Sequence, residues 1–330
     1  MKRKGVGRRV IIDTDPGVDD ALAILLALRS PELEVVAITT VCGNVPVEQG
    51  TQNLFRVLGL VKPPAGLLIG QGAARPLRQP LLTATHVYGS DGLGELDGFR
   101  NQDGSPRYPK PKLPRALPTA LEVWGQCLHR YPGELTLITL GPLTNLALAL
   151  EADPTPLRQL RSVLSMGGAI SVPGNVTPVA EFNIFVDPHA AQRVSQSRLP
   201  MTLVPLDVTT KVALSRKEIQ ALAAGGSDPV LRFVVDATGQ ALSYAERVEG
   251  APLFQLHDPL AVAAAIDPTL VHTVSLHVEV ETEDQAAMGR TKADRQPLRG
   301  SQKTPPKIQA ALTVDAARVL KLFKQRLTRK

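Results

Sequence analysis

The feature that most constrains this chain is a rhythm of short, β-branched apolar runs, each followed by a polar turn and a segment of helical period. The runs fall at 10–12, 35–41, 67–69, 135–140, 162–166, 201–206 and 273–280. Helical periods occupy about 18–29, 46–60, 118–130, 143–151, 188–196, 228–248 and 258–266. Strands that are apolar throughout, rather than alternating, are buried on both faces. The pattern therefore predicts an α/β fold: a single large domain with a mostly parallel, doubly wound central sheet and loop excursions. Such sheets bind ligands beyond the carboxyl ends of their strands, so the polar residues directly after each run are the candidates for chemistry.

Two stretches break the rhythm. Residues 100–118 carry five prolines and read as an exposed loop. Residues 281–303 are polar and are expected to form a hairpin or excursion before a final strand near 308–314. The expected organisation is a basic tail at 1–9, the α/β domain at 10–320, and the basic end of a C-terminal helix at 321–330.

The net charge of +6 comes from those ends, which hold five Lys or Arg each and no acid. Removing these ten positive charges leaves residues 10–320 at −4, so the body is mildly acidic. With 7 Phe, 4 Tyr and 1 Trp in 330 residues and no basic stretch interleaved with aromatics, a nucleic-acid partner is not expected. The apolar stretch after the basic start stops at Asp13, too short for a signal peptide, and no run is long enough to span a membrane. The 2 cysteines, Cys42 and Cys127, form neither a disulfide framework nor a zinc motif, which makes the reducing cytoplasm the expected compartment.

The segment VIIDTDPGVDD (10–20) places Asp13, Asp15, Asp19 and Asp20 at a strand end and a helix start. Helix capping explains one or two of them. Four carboxylates packed together are costly unless a cation neutralises them, and all-oxygen ligation favours a hard ion such as Ca²⁺ or Mg²⁺. A strand followed by DxD also opens the haloacid-dehalogenase phosphatases. Pro16-Gly17 and the extra acid pair speak against that alternative, which would also require roles for Thr139 and Lys211.

DTDPGVDD resembles the signature of the inosine-uridine-preferring nucleoside hydrolases. The resemblance extends through TTVCGN (39–44), HVYGSDGLG (86–94), LGPLTNLA (140–147), SMGG (165–168), GNVTPVAEFNIFVDPHAA (174–191) and LHDPLAVA (256–263), in the family's order. It covers the chain from about residue 9 to the end. It implies Ca²⁺-dependent hydrolysis of the N-glycosidic bond of ribonucleosides, with Asp15, Asp20, Asp258 and the Leu140 carbonyl as metal ligands. Asp15 would act as general base toward a metal-bound water, whose attack opposite the base inverts the anomeric centre. Asp19, Asn44, Asn175, Glu181 and Asn183 would hold the ribose hydroxyls. A homodimer or homotetramer is also implied.

Each assignment has a plainer rival. Asp258 precedes Pro259 at a helix start, where N-capping is sufficient on its own. The asparagines beside Gly43 and Gly174 fit turn chemistry. Met166 either packs under the sugar or fills the core, and Asp187 reads as a helix cap. His257, next to Asp258, is the candidate proton donor to the leaving base, and His86, in a Gly-rich loop, a contact to base or ribose. Gln240 and Tyr244, one helical turn apart, are either base contacts or surface packing. A non-catalytic protein binding Ca²⁺ and a nucleoside is the remaining alternative.

Overall fold

A computed structural model describes residues 7–224, 228–296 and 306–329. The central sheet contains β1 (Arg8–Thr14), β2 (Leu33–Thr40), β3 (Leu68–Gln71), β4 (Thr136–Thr139), β5 (Ser162–Met166) and β6 (Met201–Val204). A separate pair, β7 (Ala213–Ser215) and β8 (Leu253–Gln255), lies outside it, and β9 (Val271–Val280), β10 (Thr291–Asp294) and β11 (Lys307–Val314) complete it. The order is β10-β9-β11-β6-β5-β4-β1-β2-β3. Every pairing from β3 across to β11 is parallel, and β9 and β10 add an antiparallel edge. Strand order reverses between β1 and β4, and a crevice opens at such a switch point because the flanking connections leave in opposite directions.

The helices up to β5 are α1 (Val18–Leu28), α2 (Val47–Leu58), α3 (Thr85–Tyr88), α4 (Ala120–Arg130), α5 (Thr144–Ala152) and α6 (Pro154–Leu157). After β5 come α7 (Phe182–Val186), α8 (Pro188–Ser195), α9 (Leu206–Thr209), α10 (Arg216–Ala223), α11 (Pro229–Glu249), α12 (His257–Ile266) and α13 (Ala316–Leu327). Two apolar layers enclose the sheet. Val10 and Ile12 pack into the layer of α1, α11, α12 and α13, whereas Ile11 enters the layer of α4, α5 and α8. This alternation buries both faces of β1, which is why its run is uniformly apolar.

Several boundaries differ from expectation. Arg8 and Arg9 belong to β1 rather than to a tail. Arg9 pairs with Glu34 and Glu134, and Arg8 donates to the Ala265 carbonyl, so neighbouring acceptors draw them into the strand. Residues 1–6 and Lys330 lie outside the described residues. The basic C-terminal end is a packed helix through Leu327, with Phe323 and Leu327 buried and Arg326 paired with Glu32. The expected hairpin after β9 is present as β10, although residues 297–303 of that stretch are outside the described residues. The run expected to continue through Leu206 ends as a strand at Val204, and after Pro205 the chain turns into α9.

Glu218 ties α10 to α13. Its carboxylate accepts from Ser215 N (2.9 Å) and from Lys324 Nζ (2.9 Å). The Ser215 backbone hydrogen bond, then Lys324, pull its pKa down from 4.5 to about 2. A carboxylate depressed on folding contributes stability above its unfolded value that is lost as pH falls toward the folded one. Between pH values of about 5 and 3, the melting temperature of the wild type should therefore fall more steeply than that of E218Q. Parallel curves from differential scanning calorimetry would contradict this.

Candidate active site

The loop between β1 and α1 carries the acidic cluster at the switch point. Asp20, in the first turn of α1, accepts from Gly17 N (3.0 Å), Asp15 N (3.2 Å), Asn44 Nδ2 (2.9 Å) and Thr14 Oγ1. It closes the capping box of α1, so one carboxylate does serve the helix. Asp19 caps a different helix: its Oδ2 accepts from Asp258 N (2.9 Å) at the start of α12. Asp258 itself is not the N-cap. The helix begins at His257 and its N-cap, Leu256, has no capping side chain. With Asp19 already satisfying that helix end, the capping explanation for Asp258 is replaced by one that leaves its carboxylate to the cleft.

Asp15 accepts from Asn44 N through Oδ2 (2.6 Å), while its buried Oδ1 has no partner among the described residues. Its carboxylate lies between two glycines. A Cβ on Gly43 would sit 2.0 Å from Oδ2, and one on Gly141 would sit 2.4 Å from Oδ1. Gly43 lies just beyond the end of β2 at Thr40 and Gly141 just beyond the end of β4 at Thr139, so the sheet delivers the two backbones to either side of the acid. The Leu140 carbonyl, at the end of β4, accepts from Asn183 Nδ2 (2.6 Å).

Burial pushes the carboxyl of Asp15 well above its ordinary pKa, and the charge of Asp20 pushes it further. Burial comes first for Asp19 and Asp258 too, with Asp20 adding repulsion to each. Asp13, hydrogen bonded to Thr39 (2.6 Å) and Asn145 (2.9 Å), is raised to about 7 by burial. A capping bond returns about 1 kcal/mol, whereas burying an uncompensated charge costs several kcal/mol. Capping alone therefore does not account for this concentration of acids, and a cation would.

Among the described residues, no group of three or more His, Cys, Asp or Glu side chains stands in metal-holding geometry. The donor chemistry nevertheless fits a hard divalent ion. Among the described residues Asp15 Oδ1 and Asp19 Oδ1 are buried oxygens without partners, and carboxylate and carbonyl oxygens are the ligands such ions select.

Of these acids Asp19 and Asp258 line a cleft of about 250 Å³, and Asp15 and Asp20 lie behind it, both hydrogen bonded to Asn44 of its wall. At its inner end lie Asp19, Asn44, Leu140, Met166, Glu181, Asn183 and Asp258, all largely buried. Glu181 caps α7, accepting from Gly168 N (2.9 Å), Asn183 N (2.9 Å) and Ile184 N (3.1 Å). Asn183 also reaches the Met166 carbonyl (3.3 Å), and exposed Asn175 accepts from Phe182 N (2.9 Å) at the mouth. His257 lines the wall with Nδ1 held by Thr209 Oγ1 (2.7 Å), and burial lowers its pKa to about 4. His86 packs edge-on against Tyr244, ring centroids 5.7 Å apart.

Gln240 does not join them. It is exposed and outside the lining, because the arc of α11 facing the cleft runs through Ala241, Tyr244, Ala245 and Val248, and Gln240 lies at its flank. Asp187 is a helix cap as expected, accepting from Ala190 N (3.0 Å), and it also holds Thr144 and Leu77 N. Of the groups a phosphatase would need, Lys211 is exposed outside the cleft and Thr139 is enclosed within β4.

Three residues of this neighbourhood escaped the sequence reading. Tyr88 lines the cleft, and burial followed by the charges of Asp19, Asp258, Asp20 and Asp15 raises its phenol well above the ordinary value. Asn145, in LGPLTNLA, donates to Asp13 and Thr40 O and accepts from Ala73 N. Asp91, in the Gly-rich loop, accepts from Leu93 N (2.8 Å), Glu95 N (2.9 Å) and Leu96 N (2.8 Å). An Asp beside Gly92, two residues before an amide it can cap, was the available signal. D91A strands these amides at about 1–3 kcal/mol, so urea denaturation should show that loss of stability. An unchanged midpoint would deny Asp91 this role.

The model of the inosine-uridine preferring nucleoside hydrolases matches residues 10–321. The chain belongs to that family and is a hydrolase acting on the N-glycosyl bond of ribonucleosides, within a family that is metal-dependent. Among its relatives, a pyrimidine-specific ribonucleoside hydrolase, RihA, of Salmonella agona is 37% identical over 322 residues, 96% of this chain and 97% of that one. A plant nucleoside hydrolase structure superposes with a TM-score of 0.86 at 34% identity, covering 98% of this chain and 99% of the other. A purine-preferring ribonucleoside hydrolase from Gardnerella vaginalis gives 0.83 at 32%, with 97% and 98% covered. Among the described residues no helix is long and apolar enough to cross a membrane.

Proposed function

We propose that this chain hydrolyses ribonucleosides to free base and ribose in a Ca²⁺-dependent reaction, with Asp15 as the general base. What carries the proposal is Asp15 Oδ1, a buried carboxylate oxygen without a partner among the described residues, on an acid bonded through Oδ2 to Asn44 N, a residue that lines the cleft at the sheet's switch point. Asp15, Asp20, Asp258 and the Leu140 carbonyl would hold the cation. When bound, it supplies the positive charge that neutralises these acids and lowers the pKa of a water.

Asp15 accepts the proton of the attacking water at Oδ1, the carboxylate oxygen that no protein donor occupies among the described residues. Asp19, Asn44, Asn175, Glu181 and Asn183 engage the ribose hydroxyls, with Met166 beneath the ring. A furanose held by this many groups meets the water in one orientation, which is where most of the entropic cost of the step is removed. His257, its Nδ1 fixed by Thr209, presents its other nitrogen to the leaving base, and His86 and Tyr244 stand beyond it. Attack opposite the base inverts the anomeric centre. We also assign the enzyme to the cytoplasm, as a homodimer or homotetramer.

Treatment with EDTA followed by desalting should reduce ribose release from uridine or inosine by at least about 100-fold, and Ca²⁺ should restore it. Full activity after exhaustive chelation would overturn the metal dependence.

A further inference from the structure

We infer that Gln255 reads the hydrogen-bonding edge of the nucleobase and so favours bases that carry a donor beside an acceptor over aglycones that carry no such edge. The inference rests on the proposed nucleoside reaction and concerns the end of the cleft away from the acids. Similarity leaves that end open, since one relative is named pyrimidine-specific and another purine-preferring.

The acids and amides at the inner end fit the hydroxyls of a sugar, which directs the base outward past His257. The outer wall is mostly apolar, formed by Ala241, Ala245, Val248 and Leu253, with Val248 at 59% and Leu253 at 43% exposure. Such a wall accepts the faces of any aromatic base without telling one from another. His86 and Tyr244 line this end too, packed edge to face with ring centroids 5.7 Å apart.

Gln255 is the amide in this wall. It lines the cleft, is half-buried, and among the described residues its side chain has no hydrogen-bond partner. Its backbone is fixed in β8, paired with Ala213 of β7, two residues before His257. A rigid mount close to the group that faces the leaving base is what precise edge recognition requires. The carboxamide offers a donor beside an acceptor, complementary to the N–H and C=O of a lactam edge such as that of uracil or hypoxanthine. By turning over it also meets the amino and ring-nitrogen edge of cytosine or adenine. A carboxylate would keep only the acceptor.

The test compares wild type, Q255L and Q255E on uridine, inosine, cytidine and a nitrophenyl riboside, whose aglycone has no such edge. For Q255L, kcat/KM on uridine and inosine should fall roughly 10- to 100-fold further than on the nitrophenyl riboside. Q255E should move the cytidine-to-uridine ratio toward cytidine, because its carboxylate repels the uracil carbonyl and accepts from the cytosine amino group. Equal losses on every substrate would make Gln255 a structural residue, and no loss on any would remove it from recognition; either result overturns the inference. If the wild type cleaved no riboside, the nucleoside reaction itself would fail, an outcome distinct from these.

Discussion

Asp15→Asn should lower kcat on the better of uridine and inosine by at least about 10³-fold and, measured on the metal-free protein, leave the melting temperature unchanged or higher. The two expectations share one cause. Asp15 is an acid whose charged form the fold disfavours, first through burial and then through Asp20. An amide of the same shape keeps the bond from Asn44 N, places its nitrogen where Oδ1 has no partner, and removes the repulsion. It also removes the oxygen that takes the proton. A residue that costs stability and is indispensable to rate is the signature of a functional site. A variant with both full activity and unchanged stability would dismiss Asp15 as the base.

Gly43→Ala is the second large effect. The added methyl would stand 2.0 Å from Asp15 Oδ2, 2.7 Å from its Cγ and 2.8 Å from Pro142 Cδ. No real contact is that short, and neither neighbour yields easily: Asp15 is pinned by Asn44 N, and Pro142 opens the turn into α5. The carboxylate must rotate or translate by about an ångström, a displacement that costs about 100-fold in kcat. The fold should survive, because the clash is confined to the loop ends. Far-ultraviolet circular dichroism unlike the wild type's would contradict this account, as would wild-type kcat in a folded variant.

The sheet was legible because its central strands print short runs rich in apolar and β-branched residues, and the acid cluster because four carboxylates in eight residues have few uses. What sequence could not supply was tertiary partnership. Asp19 lies in the first turn of α1 yet caps α12, a helix some 240 positions later, so local capping rules misplace the duty of both Asp19 and Asp258. Gln240 and Tyr244 are one turn apart, and only the packing of α11 decides that one faces the cleft and the other does not. The β7–β8 pair, three residues per strand and nearly 40 apart, carries too little pattern to announce itself, and Gln255 was hidden with it. Arg8 and Arg9 looked like tail because their acceptors, the Ala265 carbonyl and the carboxylates of Glu34 and Glu134, are distant in sequence.

The central claim is that the cleft at the β1–β4 switch point cleaves ribonucleosides with Asp15 as base. Its most direct test follows free base and reducing sugar together, for wild type and D15N, on uridine and inosine with Ca²⁺ present. Equimolar base and ribose from the wild type, with neither from D15N on the same timescale, is the predicted result. Release of base without ribose, or equal release by both proteins, would contradict it.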